Sequence, residues 1–147
     1  MAVKVLVVDA HHLLRIGICK AIADRFPDAI FVDAGTLGDA LTALTTFKPS
    51  IVLMNADLPD TAGVEGVSRM LRAVGGAPIL VLTESDARAH VVQVLGLSVA
   101  GYLSKGCSCE ELATAVHRII SGHRYVSAVR ALKRMNSCLS RKIIRNH

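Results

Sequence analysis

Four places in the chain set polar side chains at or just after the end of an apolar run, and the side chains are of kinds that do chemistry. Asp9, Ala10 and His11 follow Val3–Val8, and Asn55, Ala56 and Asp57 follow Ile51–Met54. Thr83 and Glu84 follow Ile79–Leu82, and Lys105 comes just after Val99–Leu103. Carboxylates can ligate a hard cation or act as nucleophiles, and a lysine can neutralise charge that develops in a transfer reaction. Other candidates are weaker. Cys107 and Cys109 form at most half of a metal site, because no second close Cys or His pair is visible; they read as two incidental thiols in a loop. His11 and His12 are adjacent, and neighbouring side chains on a helix point about 100° apart and do not converge on a ligand. Gly63-Val64-Glu65-Gly66 lacks the spacing and the lysine of a phosphate loop.

The elements that must position these groups alternate along the chain. Strands are expected over Val3–Val8, Ala29–Val32, Ile51–Met54, Ile79–Leu82 and Val99–Leu103. Several show almost no polar alternation, which fits strands covered on both faces. Helices are expected between them. The first runs from about Leu13 to Arg25 and stops before Pro27; the second opens at Thr36 and ends before Pro49. The third lies between Thr61 and Ala73, closed by Gly75-Gly76, and the fourth covers about Asp86 to Leu95. The fifth starts from a capping box at Ser108 with Glu111 three residues on, carries Leu112, Val116, Ile119 and Ile120 on one stripe, and ends at Gly122. Such a repeat makes a parallel sheet with helices on both faces, and its chemistry sits at the carboxyl ends of the strands.

Composition narrows the functional classes. The 147 residues suit one compact domain, taken as residues 1–127, followed by a basic segment over 128–147. No signal peptide or membrane-spanning run is visible, so a cytoplasmic protein without a membrane partner is expected. The cysteines Cys19, Cys107, Cys109 and Cys138 form no disulfide framework. The net charge of +5 is unevenly spread. Residues 128–147 hold six Lys and Arg and no acid; the rest has 11 Lys and Arg against 12 Asp and Glu. The overall charge is therefore poor evidence that the domain itself binds nucleic acid.

Residues 3–127 resemble the receiver domain of bacterial two-component response regulators, and within that family those joined to LuxR-type (NarL/FixJ) DNA-binding outputs. Five segments carry the resemblance, in order and at matching intervals. They are Val-Leu-Val-Val-Asp-Ala-His from Val5, Pro-Ser-Ile-Val-Leu-Met-Asn-Ala-Asp-Leu-Pro from Pro49, Pro-Ile-Leu-Val-Leu-Thr from Pro78, Ala-Gly-Tyr-Leu-Ser-Lys from Ala100, and Glu-Glu-Leu from Glu110. The resemblance implies an α/β, flavodoxin-like (βα)5 three-layer sandwich. Its five-stranded parallel sheet has the order 2-1-3-4-5.

The resemblance also implies a phosphorylation pocket, and here the chain departs from it. In the family two acids after the first strand and an acceptor aspartate after the third hold Mg²⁺. A hydroxyl after the fourth strand and a lysine after the fifth bind the phosphoryl group. Asp9, Thr83 and Lys105 match this pattern, whereas Ala10 replaces the second acid and Asn55 the acceptor. A methyl cannot ligate a metal, and an amide is not a usable nucleophile at neutral pH. Asp9 and Lys105 then sum to zero charge. A pair of opposite charges ~4 Å apart is worth roughly 4 kcal/mol at an effective dielectric of about 20, before desolvation. Lys105 is expected to bridge Asp9 and the Asn55 carbonyl. Asp57 is either a solvated loop carboxylate or a displaced acceptor. Tyr102 matches the aromatic switch position, to pair with Thr83 in two states, or it is a half-buried ring with its hydroxyl in water.

The expected function is a phosphorylation-independent signalling and interaction module, not an enzyme, with no cofactor and no metal. Its partner is a protein or a second copy, met through the fourth helix, fifth strand and fifth helix, or through helices one and five. The alternative is the receiver half of a LuxR-type transcription regulator, with DNA bound only through an output domain outside this chain. In residues 128–147 the apolar spacing of Leu132, Met135, Leu139 and Ile143 predicts a basic amphipathic helix that mediates association.

Overall fold

The computed structural model describes residues 2–84 and 93–127. Its strands are β1 (Lys4–Val8), β2 (Ile30–Ala34), β3 (Ile51–Asn55), β4 (Ile79–Thr83), β5 (Gly101–Ser104) and β6 (Tyr125–Ser127). The helices over these residues are labelled α1 (His12–Arg25), α2 (Leu37–Ala43), α3 (Glu65–Ala73) and α4 (Cys109–Ile120). The expected fourth helix falls mostly on residues 85–92, outside the described residues, although residues 93–95 are helical. The helix expected within residues 128–147 lies outside them as well.

The sheet is parallel throughout, in the order β2-β1-β3-β4-β5-β6. This is the flavodoxin-like fold, with the expected order 2-1-3-4-5 inside it. The expectation of five strands is corrected to six. Tyr125, Val126 and Ser127 pair with Gly101, Tyr102 and Leu103. Three residues after a helix-ending glycine are too few to show a period, so this strand has no sequence signature of its own.

Both faces of the sheet are covered. Leu6, Val8, Val52, Met54 and Val81 pack with Leu37, Val67 and Met70 on one side. Val5, Val7, Leu53, Leu80 and Leu103 pack with Ile18, Ile22, Leu112 and Val116 on the other. Every residue of β3 and β4 is buried, which is why these strands read as unbroken apolar runs. Among the described residues no helix is long and apolar enough to cross a membrane.

Caps hold the helices where the sequence places them. Thr36 Oγ1 accepts from Asp39 N–H at 3.0 Å, and Ser108 Oγ accepts from Glu111 N–H at 3.0 Å. A further cap comes from a distant residue. The Asp60 carboxylate, in the loop after β3, accepts from the N–H groups of Leu37 and Gly38 at 2.9 and 3.0 Å. These bonds hold its carboxyl below the usual carboxylate range. They also tie the β3 loop to the first turn of α2.

Gly101 is set by β6. A Cβ there would lie 2.6 Å from the Tyr125 carbonyl oxygen and 2.7 Å from Leu80 Cδ1. Gly101→Ala is therefore expected to push β6 off β5 and destabilise the fold by about 1–3 kcal/mol. Urea denaturation measures this; an unchanged midpoint would mean that β6 is not bound to β5 in solution.

Candidate functional site

Parallel strands place every strand-to-helix loop at one end of the sheet, and the candidate residues meet there. Asn55 and Thr83 are the last residues of β3 and β4, one place inside the expected loops. Backbone bonds fix the rest. Asp9 N–H donates to Ala34 O at 3.0 Å, Ala56 N–H to Leu82 O at 3.1 Å, and Lys105 N–H to Thr83 O at 2.9 Å. Asp9, Asn55 and Thr83 are the buried polar side chains among the described residues, with 1%, 5% and 1% exposure.

Charge at the site centres on Asp9. The Lys105 ammonium lies 2.9 Å from its Oδ2, and the lysine side chain is itself 7% exposed. Oδ1 accepts the His11 backbone N–H at 2.7 Å and faces His11 Nδ1 at 2.9 Å. Among the described residues the Lys105 ammonium is the group that meets the buried Oδ2. Burial by itself would raise the Asp9 pKa. The His11 N–H and the Lys105 ammonium outweigh it, and the carboxyl sits below its ordinary value.

Other expectations divide. Lys105 meets Asp9, but its second carboxylate neighbour is the exposed Glu84, at 3.9 Å. The Asn55 side-chain carbonyl instead accepts the Asp57 backbone N–H at 3.0 Å, a local turn that short polar side chains form readily. Asp57 itself is exposed. Tyr102 is not half-buried: its exposure is 0%, because β6 and the helix side of the sheet enclose β5. His11 and His12 do not converge; His11 turns to Asp9, while His12 Nδ1 lies 3.2 Å from the Arg15 guanidinium. Sequence reasoning assigned no role to His11 at Asp9 or to Arg15, which binds the Asp9 carbonyl oxygen and Asp33 Oδ2. The two-residue spacing of Asp9 and His11 after a strand end was the available signal.

The donor set does not fit a divalent cation. Ala10 offers only a methyl, Asn55 spends its carbonyl on the turn, and an ammonium occupies the open side of Asp9. Among the described residues no three His, Cys, Asp or Glu side chains converge. Cys107 and Cys109 both line a cavity of about 160 Å³ between α1 and α4. Burial pushes the Cys107 thiol up, away from the thiolate that soft metals take.

The buried pair has a measurable consequence. Lys105→Met strands the Asp9 carboxylate without a cation and is expected to cost about 3–5 kcal/mol at neutral pH. Because the folded pKa of Asp9 lies below its unfolded value, this carboxylate stabilises the fold above the ordinary Asp pKa. That contribution is lost as pH falls through the folded value. Lys105→Met raises the Asp9 pKa, so acid unfolding is expected at higher pH than in the wild type. Equal midpoints in an acid titration followed by circular dichroism would remove Asp9 as the cause.

Comparison with known proteins agrees with this architecture. The family model described as the response regulator receiver domain matches residues 5–117. The chain is 32% identical over 125 residues to the response regulator GacA of Pseudomonas aeruginosa, covering 85% of this chain and 58% of that protein. It thus spans little more than half the length of that relative. Among solved structures it is similar to a LuxR-family two-component response regulator from Aurantimonas sp. SI85-9A1. The TM-score is 0.78 at 26% identity, over 90% of this chain and 94% of the other. It is also similar to the receiver domain of the putative response regulator NarL from Mycobacterium tuberculosis, with TM-score 0.71 and 26% identity over 83% and 98% of the two chains. The chain belongs to the response regulator receiver domain family.

Proposed function

We propose that this receiver signals through protein contact and takes no phosphoryl group. One observation carries the reading. At the end of β3, where a nucleophilic carboxylate would be required, stands Asn55, and its amide is engaged in a turn with Asp57. Two further features support it. The lysine that would meet an incoming phosphoryl group is paired with Asp9, and Ala10 leaves a metal short of a ligand. On this reading Asp9, Asn55, Thr83 and Lys105 form a structural plug, and the protein is a signalling module of the cytoplasm and not an enzyme. Thr83 and the inward Tyr102 then respond to a partner and not to phosphate.

The contact face favoured by the structure is that of α1 and α4. Leu13 and Ile16 on α1 are large apolar side chains left 82% and 51% exposed. A second copy or a protein partner would cover them. The other face expected from the sequence includes residues outside the described ones. A second reading, the receiver half of a LuxR-type transcription regulator, is favoured by the 58% coverage of GacA and by the likeness to a LuxR-family regulator. In that case DNA is bound by an output domain beyond this chain.

Mass spectrometry after acetyl phosphate and Mg²⁺ treatment tests the pocket. No aspartyl adduct is expected on the wild type, and one on Asp57 would overturn the reading. Asn55→Asp alone should label poorly, and Asn55→Asp with Ala10→Asp far better. Equal labelling of the two would sink the metal argument. For the contact face, Leu13→Glu with Ile16→Glu is expected to abolish any self-association seen by sedimentation. Unchanged sedimentation of an associating chain would move the interface elsewhere.

A further inference from the structure

The near-neutral balance of the domain hides a strong separation of charge along the strand axis. Where chain enters the strands, at the amino end of the sheet, the helix ends and loops carry Lys4, Arg25, Lys48, Arg72, Arg118 and Arg124. All six are exposed, and the acids at that end are Asp24 and Asp28. The carboxyl end is the reverse, with Asp39, Asp57, Asp60, Glu84 and Glu110 exposed around the buried Asp9; the bases Arg15 and Lys105 there are paired with Asp33 and Asp9. Part of this follows from helix dipoles, which favour bases in last turns and acids in first turns. That accounts for Arg25, Arg72 and Arg118. It does not account for Lys4, Lys48 and Arg124, which lie outside any helix.

The basic groups at one corner are arranged, not scattered. Phe26 after α1 stacks on His117 of α4 with ring centroids 6.3 Å apart, which brings the two helix ends together. Two adjoining depressions of about 270 and 460 Å³ share His123. The first is lined by Arg118 and Ser121, the second by Arg124 and Ser50. Lys4 borders the second, since its backbone N–H donates to Ser50 Oγ at 3.0 Å. The Arg118 guanidinium lies over the Tyr125 ring, 6.0 Å from its centroid.

We propose that the amino end of the sheet is a binding surface for the phosphate backbone of duplex DNA, used without regard to sequence. Arginine, lysine and serine are the groups that hold phosphate oxygens. The match is to a duplex because base stacking on single strands needs exposed aromatic rings, and the chain has only two Tyr, three Phe and no Trp. The six cations of residues 128–147 add to the attraction for any polyanion, so the experiment has to separate them from the surface.

The test is fluorescence anisotropy of the full chain with a labelled duplex about two helical turns long, across a salt series. The double variant Arg118→Glu, Arg124→Glu is expected to bind about ten-fold or more weakly at low salt. Its slope of log affinity on log salt should be shallower by about 0.9 for each phosphate that is no longer neutralised. The same difference should persist when the six cations of residues 128–147 are changed to Gln in both proteins. Circular dichroism checks folding, and Lys4→Glu with Lys48→Glu probes the same surface should the first variant unfold. Unchanged affinity and slope would assign binding to residues 128–147 and overturn the proposal. A glutamate-rich peptide that binds as tightly as the duplex, and loses as much on charge reversal, would point to an acidic protein instead. Preference for one duplex sequence over another would also refute it.

Discussion

A carboxylate with 1% of its surface in water has to be met by charge, and Asp9 is met by Lys105 at 2.9 Å. Much of the carboxyl end is arranged around that requirement. Asp9 is fixed by the end of β2, Lys105 by the end of β4, and His11 folds back over the second carboxylate oxygen. The pair therefore fastens together the ends of several parallel strands. Family members with three carboxylates at this place have a pocket in need of a cation. Here the chain supplies its own.

Some of this was legible from residue types and intervals. Ser108 with Glu111, and Thr36 with Asp39, state their caps in sequence because a cap is a local bond. Asp9 and Lys105 could be placed together because strand-end positions in a parallel sheet converge whatever the loops do. What escaped was set by tertiary closeness. Asp60 caps a helix more than twenty residues earlier, and Gly101 is needed because β6, Leu80 and Ile119 all close on it. Tyr102 looked amphipathic at a strand end, and packing from one face of the sheet together with β6 makes it core. The Asn55 carbonyl, expected to meet the lysine across the pocket, accepts the N–H two residues on.

Average charge was the least informative quantity. A domain with nearly equal acids and bases reads as neutral, yet the fold gathers six exposed bases at one end and five exposed acids at the other. Parallel topology makes this possible. Each helix starts at the carboxyl end of the sheet and finishes at the amino end, so preferences at helix termini add up instead of cancelling. The resulting field steers charged partners by end and not by total.

The three residues of β6 also decide where the chain is handed on. After α4 the backbone stands at the amino end of the sheet; Tyr125–Ser127 carries it back along β5, leaving Ser127 level with Leu103. Whatever follows is attached two residues across from the turn that holds Lys105. A pull on that attachment loads the β5–β6 ladder in shear, with its hydrogen bonds resisting together rather than peeling one at a time. Leu103, paired with Ser127 and two residues before Lys105, is the first rung of the path by which such a load would reach the pocket.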